Sequence, residues 1–122
     1  MPCPFCNPAP EDIVVANDLC YARYDIHPVS PGHLLVIPFR HVAGYFDTTY
    51  EERMALARLI DDCREISERE HHPDGYNIGV NVGEAAGQVV MHVHVHFIPR
   101  YRGDVAGEHE GGVRGAVPGR PG

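Results

Sequence analysis

The chain has 122 residues, 43% of them hydrophobic, and 10 Lys/Arg against 17 Asp/Glu leave a net charge of −7. That length suffices for one compact domain with its own core and is too short for two. The basic residues are all arginines scattered singly, so no basic stripe exists to follow a nucleic-acid polymer, and no apolar run nears the roughly 18 residues of a membrane helix.

The N-terminus, MPCPFCNPAPED, lacks the basic flank and apolar stretch of a signal peptide, and a cytoplasmic protein is expected. Segments 13–16 and 19–26 read as antiparallel strands joined by Asn17-Asp18, a weaker hairpin signal than Asn-Gly. HPVSPGH at 27–33 breaks the chain, and HLLVIPF at 33–39 is a short apolar run bounded by proline, hence strand-like. A helix is expected over 49–69. Thr48-x-x-Glu51 and Thr49-x-x-Glu52 both fit a capping box, Leu56, Leu59, Ile60, Cys63 and Ile66 follow the helical period, and Glu52, Arg53, Asp61, Asp62, Arg64, Glu65 and Glu68 fall on the wet side. HPDG at 72–75 ends it. YNIGVNV at 76–82 and residues 89–98 are two further strands joined by GEAAGQ. Strands on both sides of one long helix suggest an α+β fold with a mainly antiparallel sheet. Cys20 and Cys63 sit on apolar faces and read as inert core thiols. The folded body is expected to close near Arg102, with a domain over 1–104 and a Gly/Pro-rich tail, extended or partly disordered, over 105–122.

The most informative stretch is VVMHVHVHFIPR, residues 89–100, with His92, His94 and His96 at every second position. On a strand Val89, Met91, Val93, Val95 and Phe97 share one apolar face and the three imidazoles share the other. Histidine has neither the area of leucine nor the solubility of lysine, so three in register point to function. A single metal held by all three is strained, because His92 and His96 would stand about 13 Å apart on a straight strand. The row is therefore expected to divide its labour between metal binding and nucleophilic or acid/base chemistry. Cys3-Pro-Phe-Cys6 favours a metal over a redox role outside any βαβ context, and His41 and His92 would complete a closed, structural Cys2His2 zinc site. Gly83 and Gly87 lie just before the row. They suit a phosphate nest and a plain hairpin connection equally.

His92-Val-His94-Val-His96-Phe-Ile resembles the signature of the histidine triad proteins, in which three histidines alternate with apolar residues. SPGHLLVIPFRH at 30–41, GEAAGQ at 83–88 and IPRYRGD at 98–104 extend the likeness over nearly all of 3–104. It is nearest to the bacterial branch with an N-terminal C-x-F-C, and GQVVMHVHVHFIPR also resembles the fragile-histidine-triad hydrolases. The resemblance implies an α+β fold with a mainly antiparallel sheet of about five strands, one long helix and a short second helix. It implies a nucleotide hydrolase or transferase that attacks the α-phosphate of a nucleoside polyphosphate, phosphosulfate or phosphoramidate and passes through a nucleotidyl-histidine. On that pattern His94 is the nucleophile, while His96 and His33 hold and neutralise the phosphate. Asn81, Gly87, Gln88 and Val89 line the phosphate site, and Asp25 takes the ribose of a purine nucleotide. Zinc would sit on Cys3, Cys6, His41 and His92, and the protein would be a homodimer through the helix and strand 76–82. Val89 departs from the pattern where many relatives carry Ser or Thr, removing a hydroxyl from the phosphate or leaving-group side. Two other readings compete: a nucleotide-binding or adaptor module, and a metallohydrolase with open zinc on two of the triad histidines.

Overall fold

The first hairpin closes on a side chain. Asn17 Oδ1 accepts from the Leu19 and Cys20 backbone N–H at 3.1 and 2.9 Å, an Asx turn that does the work a glycine would otherwise do. In the computed structural model, which describes residues 3–106 and 111–117, this turn joins β1 (Val15–Ala16) to β2 (Cys20–Tyr24). Then come β3 (Leu34–Pro38), α1 (Tyr50–Glu70), β4 (Gly75–Val80) and β5 (Val95–Arg100). The five strands form one sheet in the order β1-β2-β3-β5-β4, every neighbouring pair antiparallel. The α+β reading holds, with one long helix. In place of a second α-helix, the described residues carry short 3-10 turns at Pro10–Asp12, Tyr45–Asp47, Glu84–Ala86 and Val113–Ala116.

Of the two candidate caps, Thr49 starts α1: its Oγ1 accepts from Glu52 N–H, and Thr49 N–H donates to Glu52 Oε1 at 2.8 Å. Thr48 cannot serve, because its hydroxyl donates to the Tyr45 carbonyl and accepts from Arg53 Nε. Glu52, expected on the wet side, is instead only 4% exposed. Besides capping, its carboxylate takes Nε and Nη2 of Arg40 at 3.0 and 2.8 Å, and this pairing makes its burial tolerable and holds its pKa below the usual carboxylate value.

One face of the sheet packs on α1. Cys20, Ala22, Leu34, Val36, Val95 and Phe97 meet Ala55, Leu56, Leu59 and Cys63. Burial pushes both core thiols, Cys20 and Cys63, up to about 12, so neither is reactive near neutrality. On the opposite face Phe5, Tyr21, Leu35 and Ile37 form a second cluster, capped by the N-terminal segment; Tyr21 OH donates to the Phe5 carbonyl at 2.7 Å. That second face carries the site.

The last strand begins later than its alternation suggests. β5 starts at Val95, where β4 ends: Val80 pairs with Val95, and Val36 is the last β3 residue to pair with β5, although β3 runs on to Pro38 beside β2. Residues 89–94 run outside the ladder, with Val93 N–H on the Val42 carbonyl. Val93, Val95 and Phe97 are core as expected, whereas Val89 and Met91 are exposed. Past β5, Arg100 forks onto both carboxylate oxygens of Asp104 at 2.8 Å and also reaches Asn77 and the carbonyl of Gly111. Arg100 holds the Asp104 carboxyl down at about 2. Within the stretch expected as an extended or partly disordered tail, 105–122, residues 111–117 carry a 3-10 turn at Val113–Ala116 and a Gly111 carbonyl held by Arg100, while 107–110 and 118–122 lie outside the described residues.

Candidate functional site

At one end of the histidine row stands a four-donor corner. Cys3 Sγ lies 3.3 Å and Cys6 Sγ 3.6 Å from His92 Nδ1, and Cys6 Sγ lies 3.1 Å from His41 Nδ1. The four ligand atoms of Cys3, Cys6, His41 and His92 fall within 4.8 Å of one another. A tetrahedral zinc centre puts sulfur and nitrogen ligands roughly 3.6 Å apart, from bonds of about 2.3 and about 2.0 Å. The donor set and spacing therefore fit Zn²⁺. The strongest sign is the tautomer of His92. Its Nε2 is 2.8 Å from the Pro38 carbonyl, which can only accept, so Nε2 carries the proton and Nδ1 offers its lone pair to the corner. His92 is fully buried, and burial, with His41 and His94 close by, lowers its pKa.

The next histidine has the opposite arrangement. His94 Nδ1 is 2.9 Å from the carbonyl of His92 and must donate to it, so in the neutral ring Nε2 keeps its lone pair; among the described residues nothing in the protein bonds to it. Phe5, between the two cysteines, packs edge-on against both rings, with centroids 6.0 Å from His92 and 5.1 Å from His94. His96, on β5, lies beyond: its Nδ1 is 3.0 Å from Nε2 of His33, which in turn is 3.5 Å from Asp25 Oδ2. Burial lowers the pKa of both rings; His94 and His33 lower that of His96 further, and Asp25 opposes the shift in each.

The loop before the row is built around Gln88, which is 4% exposed. Its amide nitrogen donates to the carbonyls of Ala43 and Val90, and its Oε1 accepts from Gly83 N–H at 2.9 Å. Gln88, read as a phosphate contact, has its polar groups occupied by the main chain and acts on the loop's shape. Gly83 and Gly87 have φ of +90° and +94°, which a side chain would strain. The N–H groups of Gly83, Ala86, Gly87 and Gln88 are spent inside the loop. Among the described residues those of Glu84, Ala85 and Val89 have no protein partner, so any nest uses these three. Val89 is 89% exposed, and Asn81, half-buried, donates to the Gly87 carbonyl at 3.5 Å.

The structure thus brings Cys3, Cys6, His41 and His92 together at one corner and Asp25, His33 and His96 at another, with the His94 ring against Phe5 and His96, while Asn81, Gly87 and Gln88 are tied together in the loop before the row. What sequence could not reveal are the main-chain groups that fix the rings, since a carbonyl has no letter of its own. Phe5 had a legible signal in its place between two ligand cysteines. Among the described residues, the groups of three or more metal-ligand donors take one triad histidine each, His92 or His96.

A family model described as HIT domain matches residues 7–103. The purine nucleoside phosphoramidase of Escherichia coli K12 is 38% identical over 90 residues, covering 73% of this chain and 76% of its own. The AP-4-A phosphorylase of Mycobacterium tuberculosis is 38% identical over 96 residues, 77% of this chain and 49% of that protein, so the chain spans about half the length of that relative. Among solved structures, a Zn-bound histidine triad family protein from Mycobacterium smegmatis superposes with a TM-score of 0.73 at 34% identity, over 82% of this chain and 73% of that one. Cys3 and Cys6 precede the stretch matched by the family model.

The lowered pKa of His33 and His96 works against the fold as the pH falls. Below the ordinary value of 6.5 the unfolded chain takes up protons that buried His33 and His96 resist, so the unfolded state binds more protons and stability falls with pH. Calorimetry should show Tm dropping between about pH 7.5 and about pH 5.5, less steeply in His96→Gln than in the native sequence. Equal slopes in the two proteins would contradict this origin.

Proposed function

This chain belongs to the HIT domain family, and on that premise we propose that it is a nucleotide hydrolase or transferase acting at the α-phosphate of a purine nucleoside polyphosphate, phosphosulfate or phosphoramidate. The observation that carries the reading is the bond from His94 Nδ1–H to the His92 carbonyl, which reserves Nε2 as the nucleophile. In the first step the Nε2 lone pair forms a bond to the α-phosphorus, the bond from phosphorus to the leaving group breaks, and the leaving group takes its electron pair. His94 becomes a cationic nucleotidyl-imidazole that keeps its Nδ1 proton on the His92 carbonyl. Water then attacks phosphorus, the Nε2 bond breaks and returns its pair to the ring, the water proton passes to solvent, and nucleoside monophosphate leaves. A hydroxyl acceptor in place of water would make the same intermediate a transferase. His96, with His33 packed behind it, meets the phosphate oxygens together with the free loop N–H groups. Asn81, Gly87 and Val89 would border that phosphate, and Asp25 would take the ribose hydroxyls.

Zinc in the Cys3, Cys6, His41 and His92 corner has a structural part, because a closed four-ligand set leaves no position for substrate. It ties the N-terminal segment, and with it Phe5, to the row. The protein is further proposed to act in the cytoplasm as a homodimer. β4 is an edge strand with Ile78 exposed, and α1 exposes Tyr50 and Met54, apolar surface that a second copy would cover.

Three measurements test these statements. Incubation with dinucleoside polyphosphates, adenylyl sulfate and adenosine phosphoramidates should release AMP from at least one, and His94→Ala should lower turnover by about 10³-fold or more while still binding AMP. AMP binding with no release from any of them would mark a nucleotide-binding module instead. Elemental analysis of protein purified without chelator should find about one Zn²⁺ per chain, and Cys3→Ser should lose the metal and several degrees of Tm. A metal-free native protein that melts like the variant would end the zinc proposal. Light scattering should give twice the 13.5 kDa chain mass; a concentration-independent monomer mass contradicts the dimer.

A further inference from the structure

His33 is buried beside the row, with 2% of its surface exposed. Both of its nitrogens have protein partners. The backbone N–H of Val29 is 3.2 Å from Nδ1. An N–H can only donate, so Nδ1 must hold a lone pair, and the single proton of the neutral ring is on Nε2. That Nε2–H faces His96 Nδ1 at 3.0 Å, with Asp25 Oδ2 farther off at 3.5 Å. Two N–H groups cannot face each other at that distance, so His96 Nδ1 is also an acceptor. A neutral His96 then carries its own proton on Nε2. The direction of one main-chain N–H thereby passes through two rings.

We propose that His33 is a positioning residue which does not touch the nucleotide but fixes His96 as a neutral ring protonated on Nε2, a hydrogen-bond donor to the α-phosphate. The inference rests on the site being the nucleotide site described above, and it reassigns His33 from direct phosphate holding. Charging His96 would require a proton on Nδ1, against the His33 Nε2–H, and would force His33 to turn its tautomer and give up Val29. The titratable groups that face His96 are His33, Asp25 and His94; from β3 and β4 it pairs with Leu35 and Gly79, which carry no charge. The burial that lowers the pKa of both rings acts in the same direction. The same lone-pair accounting removes Asp25, His33 and His96 as a second metal site in this conformation, although their donor atoms cluster, because His33 has no lone pair to offer the common centre.

The test compares the native protein with His33→Ala and His33→Gln, each full length and ¹⁵N-labelled at histidine, by long-range ¹H–¹⁵N correlation. In the native protein His96 should show a protonated Nε2 and a bare Nδ1, unchanged down to about pH 5.5, a pH at which an ordinary imidazole is mostly charged. His33→Ala should give His96 mixed tautomers and titration near the ordinary value. In His33→Gln the amide nitrogen can replace the lost donor and restore the native pattern. With a turned-over substrate, His33→Ala should lower kcat about tenfold or more with KM within about threefold, and His33→Gln should recover most of it. A His96 protonated on Nδ1, or one whose tautomer ignores the His33→Ala change, overturns the proposal. So does a loss confined to KM, which would make His33 a direct ligand. Because the spectra need no substrate, absence of turnover would count against the enzymatic reading alone.

Discussion

A neutral imidazole has one proton and two nitrogens, and the site depends on where the main chain puts that proton. The Pro38 carbonyl accepts a hydrogen bond from Nε2–H of His92, and the His92 carbonyl accepts one from Nδ1–H of His94. Two chemically identical side chains, two residues apart, thereby present opposite nitrogens. One turns Nδ1 to a pair of thiols, and the other leaves Nε2 without a protein partner among the described residues, the atom proposed to attack phosphorus. Reversing either tautomer would set a lone pair against a carbonyl and forfeit a largely buried hydrogen bond, about 1–3 kcal/mol or roughly a five- to 150-fold bias in population. The division of labour among the histidines is thus a consequence of backbone geometry.

The rest of the fold holds those carbonyls still. Pro38 ends β3, the central strand between β2 and β5, and the turn after it is clamped by Arg40 on the buried carboxylate that also caps α1. His92 lies between the Cys3/Cys6 corner and Val93, whose N–H is held by Val42. The N-terminal segment contributes twice, through the two thiols and through Phe5, whose ring is wedged against both His92 and His94. The corner proposed to hold zinc and the ring proposed as nucleophile therefore share one support in Phe5.

Much of this was legible in the sequence because it rests on periodicity. The alternation through 92–97, the helical spacing from Leu56 to Cys63 and the C-x-F-C at the start each report a local pattern, and the chain realises all three. The departures are tertiary. Glu52 reads as solvent-facing until Arg40 arrives from a different segment, and residues 89–94 alternate in sequence yet stay outside the ladder, which begins at Val95 where β4 ends. Gln88 looks like a ligand by resemblance, yet its amide is used up on the carbonyls of Ala43 and Val90 and on Gly83 N–H. Which nitrogen of each histidine bears the proton was beyond reach of the sequence, because the deciding partners are main-chain atoms whose positions exist only after folding.

The account stands on His94 reacting through Nε2. Its most direct test is to quench a brief reaction of the native protein with a nucleotide labelled at the α-phosphate, digest it under alkaline conditions that preserve phosphoramidates, and locate the label by mass spectrometry and ³¹P NMR. The label should lie on the peptide containing His94 and on Nε2 of that ring. A label on Nδ1, on His96, or on no histidine while turnover proceeds would contradict the claim that the His92 carbonyl chooses the nucleophile.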